Sequence, residues 1–254
     1  MNCEYNLKNI PKIDNNYQII FCGDSHVEFL SRINFFYSLR KKITPISIWL
    51  GPKTLVGYSS ETKVQNWLFE IIKRIDEESN KKMLIVFSIG SIDIRTTFGY
   101  LLATKSISNE KEFFDIFERS YVALIERIIE KLKFENKRKI AFLSLPPVTP
   151  LKGINIKNCS FEKAIEYQNN SPFSIFGSPE ERAIWTKFLN LRLEKISKER
   201  GWNFINNDNA YKLIQFKNKY IINEKFSFDN THITDPNFYA ETLKNIILYF
   251  ENKN

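Results

Sequence analysis

Two short polar strings, one near each end of the chain, hold residue types that together could make an activated nucleophile. The first is Gly23-Asp24-Ser25-His26, which follows directly on an apolar run. A helical pattern begins at Val27, so Ser25 falls on a strand-to-helix turn. There its hydroxyl is exposed and its backbone N–H sits at a helix N-terminus, where it can stabilise an oxyanion. The same turn would also suit Asp24 or Ser25 as a plain helix cap. The second string is Asp229-Asn230-Thr231-His232, between Phe228 and Ile233. Serine attacks only when a base takes its proton, and the base needs an acid to fix its tautomer. His232 and Asp229, three residues apart, can fill both roles. The chain has only two histidines, so one at this spacing carries weight. The competing reading is a loop histidine whose aspartate caps the last helix, yet Asp235 is better placed for that cap. His26 reads as a first-turn residue that hydrogen-bonds locally, and Cys22 as core.

The elements that must position these residues follow from apolar patterning. Five short runs suit strands buried on both faces of a parallel sheet: Tyr17–Cys22, Ile46–Leu50, Met83–Ser88, Ile140–Ser144 and Trp202–Asn206. Amphipathic stretches lie between them. Phe113, Phe117, Tyr121, Leu124, Ile125, Ile128, Ile129 and Leu132 fall on one helical face. Ser178-Pro179-Glu180-Glu181 has the composition of a capping box with proline at the first helical position. A last helix is expected after Asp235-Pro236. Alternation of strand and helix implies an open, doubly wound α/β sheet, with the site beyond the carboxyl ends of the strands. Residues from about 146 to 177 fit no strand–helix unit and read as an irregular, substrate-covering insertion in a single domain spanning 1–254.

Gly-Asp-Ser after the first strand and Asp-x-x-His before the last helix resemble the SGNH (GDSL-type) hydrolase family over essentially the whole chain. The resemblance implies a flavodoxin-like fold of about five parallel strands with helices on both faces. It implies esterase or O-acyltransferase activity, with Ser25 as nucleophile, His232 as base and Asp229 as its orienting partner. The family's second block supplies a glycine N–H, and Gly51 in Leu50-Gly51-Pro52 matches it best. The third block is usually Gly-x-Asn-Asp, its asparagine donating to the oxyanion. This chain has Gly90-Ser91-Ile92-Asp93-Ile94-Arg95 instead. The Ile92 side chain cannot donate a hydrogen bond, and losing one such donor typically costs ~10²–10³ in rate. Either the oxyanion hole is rebuilt, with Arg95 or another donor serving, or the chain is an inactive glycan-binding or assembly module. Arg95 could pair with Asp93 or hold a substrate carboxylate or phosphate. The Gly-x-Ile-Asp-x-Arg string resembles a subset of SGNH-like proteins associated with bacterial glycan assembly. Gly51, Gly90, Asp93 and Arg95 are thus the candidate oxyanion and substrate-binding residues.

Composition narrows the remaining classes. The 254 residues carry a net charge of +8, but the lysines are dispersed and no nucleic-acid-binding motif accompanies them. Cys3, Cys22 and Cys159 form no C-x-x-C pair and no zinc spacing, and their odd count reads as free thiols. No metal is expected, nor any nucleotide cofactor, because neither a Gly-x-Gly-x-x-Gly nor a Walker loop is present. The first residues lack the apolar stretch of a secretion signal, and no run approaches a spanning helix, so the sequence reads as soluble and cytoplasmic. The expected partner is a small-molecule or glycan ester, an O-acetylated carbohydrate by family analogy.

Overall fold

Apolar runs separated by amphipathic helices pair in parallel because each helix crosses back over a face of the sheet before the next strand begins. A computed structural model of the chain describes residues 17–24, 45–78, 82–132, 140–171, 174–217, 219–227, 233 and 235–251. Within them the strands are β1 (Tyr17–Gly23), β2 (Ile46–Trp49), β3 (Lys82–Ser88), β4 (Ile140–Leu143) and β5 (Asn203–Ile205). They form one parallel sheet in the order β2-β1-β3-β4-β5. That order is the flavodoxin-like one, and its topological switch lies between β1 and β3. The fold is therefore a doubly wound α/β sheet, as the strand–helix alternation implied, with the flavodoxin-like order that the family resemblance implied.

Eight α-helices are described: α1 (Leu55–Ser60), α2 (Thr62–Glu78), α3 (Phe98–Ala103), α4 (Glu110–Leu132), α5 (Phe161–Asn170), α6 (Pro179–Glu199), α7 (Asp208–Ile214) and α8 (Pro236–Glu251). Helix α4 packs against α1, α2 and α6, while α8 packs on α7 and β5. The predicted apolar face of α4 is the buried one: Phe113, Phe117, Tyr121, Leu124, Ile125 and Ile128 all lie in the core. The capping box at Ser178 is complete, with Ser178 Oγ accepting from Glu181 N and Glu181 accepting from Ser178 N. Asp235 does cap the last helix, its carboxylate accepting from Phe238 N at 2.9 Å. No helix among the described residues is long and apolar enough to cross a membrane.

The 146–177 stretch carries more order than its composition suggests. It holds α5, capped by Ser160, and a bridge between Ile154 and Phe176. Ala164 and Phe176 form a small satellite core with Ala103 of α3. A single buried alanine on the helical face leaves too little periodicity for α5 to stand out in the sequence.

Candidate active site

Three strand ends meet at the carboxyl edge of the sheet. Gly23 pairs in register with Trp49 on one side and Ser88 on the other. Leu50 N donates to Gly23 O at 2.8 Å, which fixes the start of the β2 loop against the end of β1. Gly51 follows with φ +80°, a conformation that favours glycine. Asp24, almost wholly buried, donates its N–H to Ser88 O at 3.3 Å and accepts from Ser91 Oγ at 2.5 Å. The residue before Ser25 is thus held by both the end of β3 and the loop after it. Ser25, His26 and the helix expected from Val27 lie outside the described residues, as do Asp229 and His232.

Around the second polar string, Ser227 and Ile233 are described. They form an antiparallel bridge across it. Tyr239 donates its hydroxyl to Ile233 O, and Ile233 lines a small cavity with Ser88, Leu143, Pro146 and Tyr211. Ser88 therefore meets Asp24 on one side and shares this cavity with Ile233 on the other.

Gly90 and Asp93 serve the architecture of this edge. At φ +121° Gly90 lies so close to α4 that a Cβ would come within 2.8 Å of Phe117 Cζ and 2.9 Å of Leu145 Cδ2. Ile92 is half-buried and precedes a π-helical turn, Asp93–Thr97; such turns concentrate at functional sites. Asp93 is fully buried, and its carboxylate accepts from Leu55 N at 2.5 Å and Val56 N at 3.2 Å. It thereby satisfies first-turn donors of α1, whose N-cap Thr54 accepts from Gly57 N. Asp93 so joins the β3 loop to the helix that follows the Gly51 loop.

Burial pushes the Asp93 carboxyl up to about 7, with the charge of Asp24 adding to the rise and the two backbone donors opposing it. The folded state thus holds a proton that the unfolded state releases near pH 4. This contribution to stability is full below that pH and is lost as the pH rises to about 7. We expect wild-type stability, measured by urea unfolding, to fall relative to Asp93→Asn across that window. The slope cannot exceed ~1.4 kcal/mol per pH unit, and parallel curves for the two proteins would show that Asp93 does not titrate there.

Arg95 lines a cleft with Ser91, Leu145, Val148, Thr149 and Arg182. Arg182, which belongs to none of the sequence motifs, is fully buried. Its Nη1 donates to Phe176 O at 3.2 Å and Gly177 O at 2.5 Å; Nη2 donates to Thr149 O at 3.0 Å and Leu151 O at 2.5 Å. Burial lowers its pKa to about 10 against the supporting charge of Glu181, and the neighbouring Arg95 cation lowers it further. It remains a cation at neutral pH. The available signal was its register: residue 182 lies four before buried Thr186 and seven before buried Leu189, the inward stripe of α6. The wall beyond β4 is rigid as well, since Tyr211 donates to Ser144 O at 2.5 Å and Tyr220 to Leu145 O at 2.8 Å. Among the described residues no cluster of His, Cys, Asp and Glu could hold a metal ion.

No protein-family model matches the chain, and no curated protein sequence matches it. Solved structures similar in shape include a GDSL-like lipase from Bacteroides thetaiotaomicron, 16% identical over 94% of this chain and 90% of that one, with a TM-score of 0.49. An acetyl xylan esterase is 12% identical over 91% of this chain and 98% of that one, at a TM-score of 0.44. A lipase from a goat rumen metagenome is 15% identical over 90% and 95%, respectively, at 0.49. With identities and scores this low, the function rests on the chain's own residues.

Proposed function

We propose that the chain is an SGNH-type serine hydrolase that cleaves O-acyl esters, acetyl esters of a carbohydrate foremost, through an acyl-serine intermediate. What supports this reading is the convergence at Ser88 of Asp24 and Ile233, each one peptide bond from a proposed catalytic residue. Ser25 Oγ attacks the ester carbonyl carbon while His232 takes the hydroxyl proton and Asp229 orients the imidazole. The backbone N–H groups of Ser25 and Gly51 receive the oxyanion. Collapse expels the sugar alkoxide, which takes the proton from His232. Water, or a sugar hydroxyl in a transferase, then attacks the acyl group with His232 again as base, releasing Ser25.

A fluorophosphonate probe should label the wild-type protein on Ser25 and leave Ser25→Ala unlabelled. A folded wild-type protein that stays unlabelled would instead favour the non-catalytic glycan-binding reading, which Ile92 at the family's donor position motivates.

A further inference from the structure

Helix α6 is apolar on two sides. Trp185, Leu189 and Leu193 lie in the core, while Ile184, Phe188 and Leu191 stand out from it, 65%, 45% and 67% exposed. The outward three fall at i, i+4 and i+7, one continuous stripe along the helix. The neighbouring helix α4 shows what a solvated face looks like in this chain, since it exposes Arg119, Glu126 and Glu130. A helix that is apolar all round belongs in a covered position. Among the described residues α6 has only part of that cover: Phe114 of α4 meets Phe188 with ring centroids 4.7 Å apart and leaves its far side open.

The charges at the two ends of the stripe say what covers it. Glu180, exposed in the first turn, lies four residues before Ile184, and Lys195, also exposed, lies four after Leu191. Their places are symmetric about the midpoint between Lys187 and Phe188. A second α6 laid antiparallel across that midpoint sets Ile184 against Leu191 of the second copy and brings the two Phe188 side chains together at the axis. Glu180 then faces Lys195 of the second copy, and the symmetry makes this pair twice. The two charges are about 22 Å apart along one helix, so they bracket the apolar contact. A parallel arrangement would set Glu180 against Glu180 and Lys195 against Lys195. The flanking cations have partners within the chain: Lys187 Nζ lies 5.5 Å over the Tyr220 ring, and Arg192 pairs with Asp115 and Glu118. A two-fold interface needs a patch that complements itself, and this stripe does.

We propose that α6 is a self-association surface, pairing antiparallel with α6 of a second copy of this chain about a two-fold axis at residues 187 and 188. The pairing is independent of the esterase reading. Three apolar side chains per copy make a small contact, so the dimer is weak, with Kd on the order of 10–100 µM.

Sedimentation velocity of the full chain, over concentrations bracketing that value, should show a monomer–dimer equilibrium. Ile184→Glu and Leu191→Glu should each leave only monomer, with thermal melting confirming that both fold. Glu180→Lys and Lys195→Glu should each weaken the dimer by about tenfold at low ionic strength. Mixed together, these two charge variants should pair again, because each then meets the opposite charge at both ends of the contact. Recovery on mixing reports the antiparallel register, and a change in fold stability would not produce it. A wild-type chain that stays monomeric overturns the proposal; if that monomer binds phosphatidylglycerol vesicles, the stripe belongs to a membrane surface instead. A dimer that survives both Ile184→Glu and Leu191→Glu lies elsewhere on the molecule and also overturns it. Charge variants that fail to pair on mixing overturn the antiparallel arrangement.

Discussion

His232→Ala should lower kcat for p-nitrophenyl acetate by on the order of 10³–10⁶, with KM little changed. In the proposed mechanism the loss falls on kcat, because proton transfer from Ser25 would stabilise the transition state and contribute nothing to ground-state binding. Ser25→Ala should cost as much, and the double variant no more than either alone, since nucleophile and base act as a unit. Asp229→Asn should cost less than either, because it removes the orientation of the imidazole while leaving the imidazole in place. Survival of most activity in His232→Ala would mean that another group is the base. The only other histidine is His26, so His26→Ala is the natural control. Steady-state rates for these four single variants and the double variant, on protein whose thermal melting matches wild type, decide the matter. Any residual rate above the uncatalysed reaction reports the oxyanion donors, which matters here because the Ile92 side chain cannot be one of them.

The sheet was legible in the sequence because parallel strands advertise themselves. Ile19–Cys22 and Met83–Phe87 are wholly buried, and a short run with no polar alternation suits a strand covered on both faces better than a half-exposed element. The α4 face, the Ser178 capping box and the Asp235 cap were readable for the same kind of reason, each resting on local spacing. Helix α1 and the Asp93–Thr97 turn were not, since six- and five-residue elements are too short to show a period. Asp93 illustrates the consequence. From sequence it stands among candidate substrate contacts, while in the fold it closes the N-terminus of α1, thirty-eight residues earlier in the chain. That contact depends on tertiary packing between two loops, and no local pattern encodes it. Arg182 is hidden for the opposite reason: an arginine in a helix reads as solvated, and only its register with Thr186 and Leu189 argues otherwise.

Arg182→Met should destabilise the protein by roughly 3 kcal/mol, because four backbone carbonyls lose their donor. Methionine fills much of the volume, so the loss isolates the hydrogen bonds from the packing. Phe176, Gly177, Thr149 and Leu151 all lose a charged donor at once, and a carbonyl left dry and unpaired costs ~1–3 kcal/mol. Relaxation toward water will offset part of this, which is why the sum is not four times the larger figure. Arg182→Lys should recover little, because a point ammonium on a flexible stem cannot reproduce a planar fork that reaches two chain segments. These segments are the beginning and the end of the 146–177 stretch, so Arg182 ties that stretch to α6. Urea unfolding gives the stability, and amide exchange gives its location: protection should fall first at Gly153 and Ile154, whose N–H groups bond Gly177 O and Ile175 O. A variant as stable as wild type would mean that the four carbonyls are satisfied by water instead.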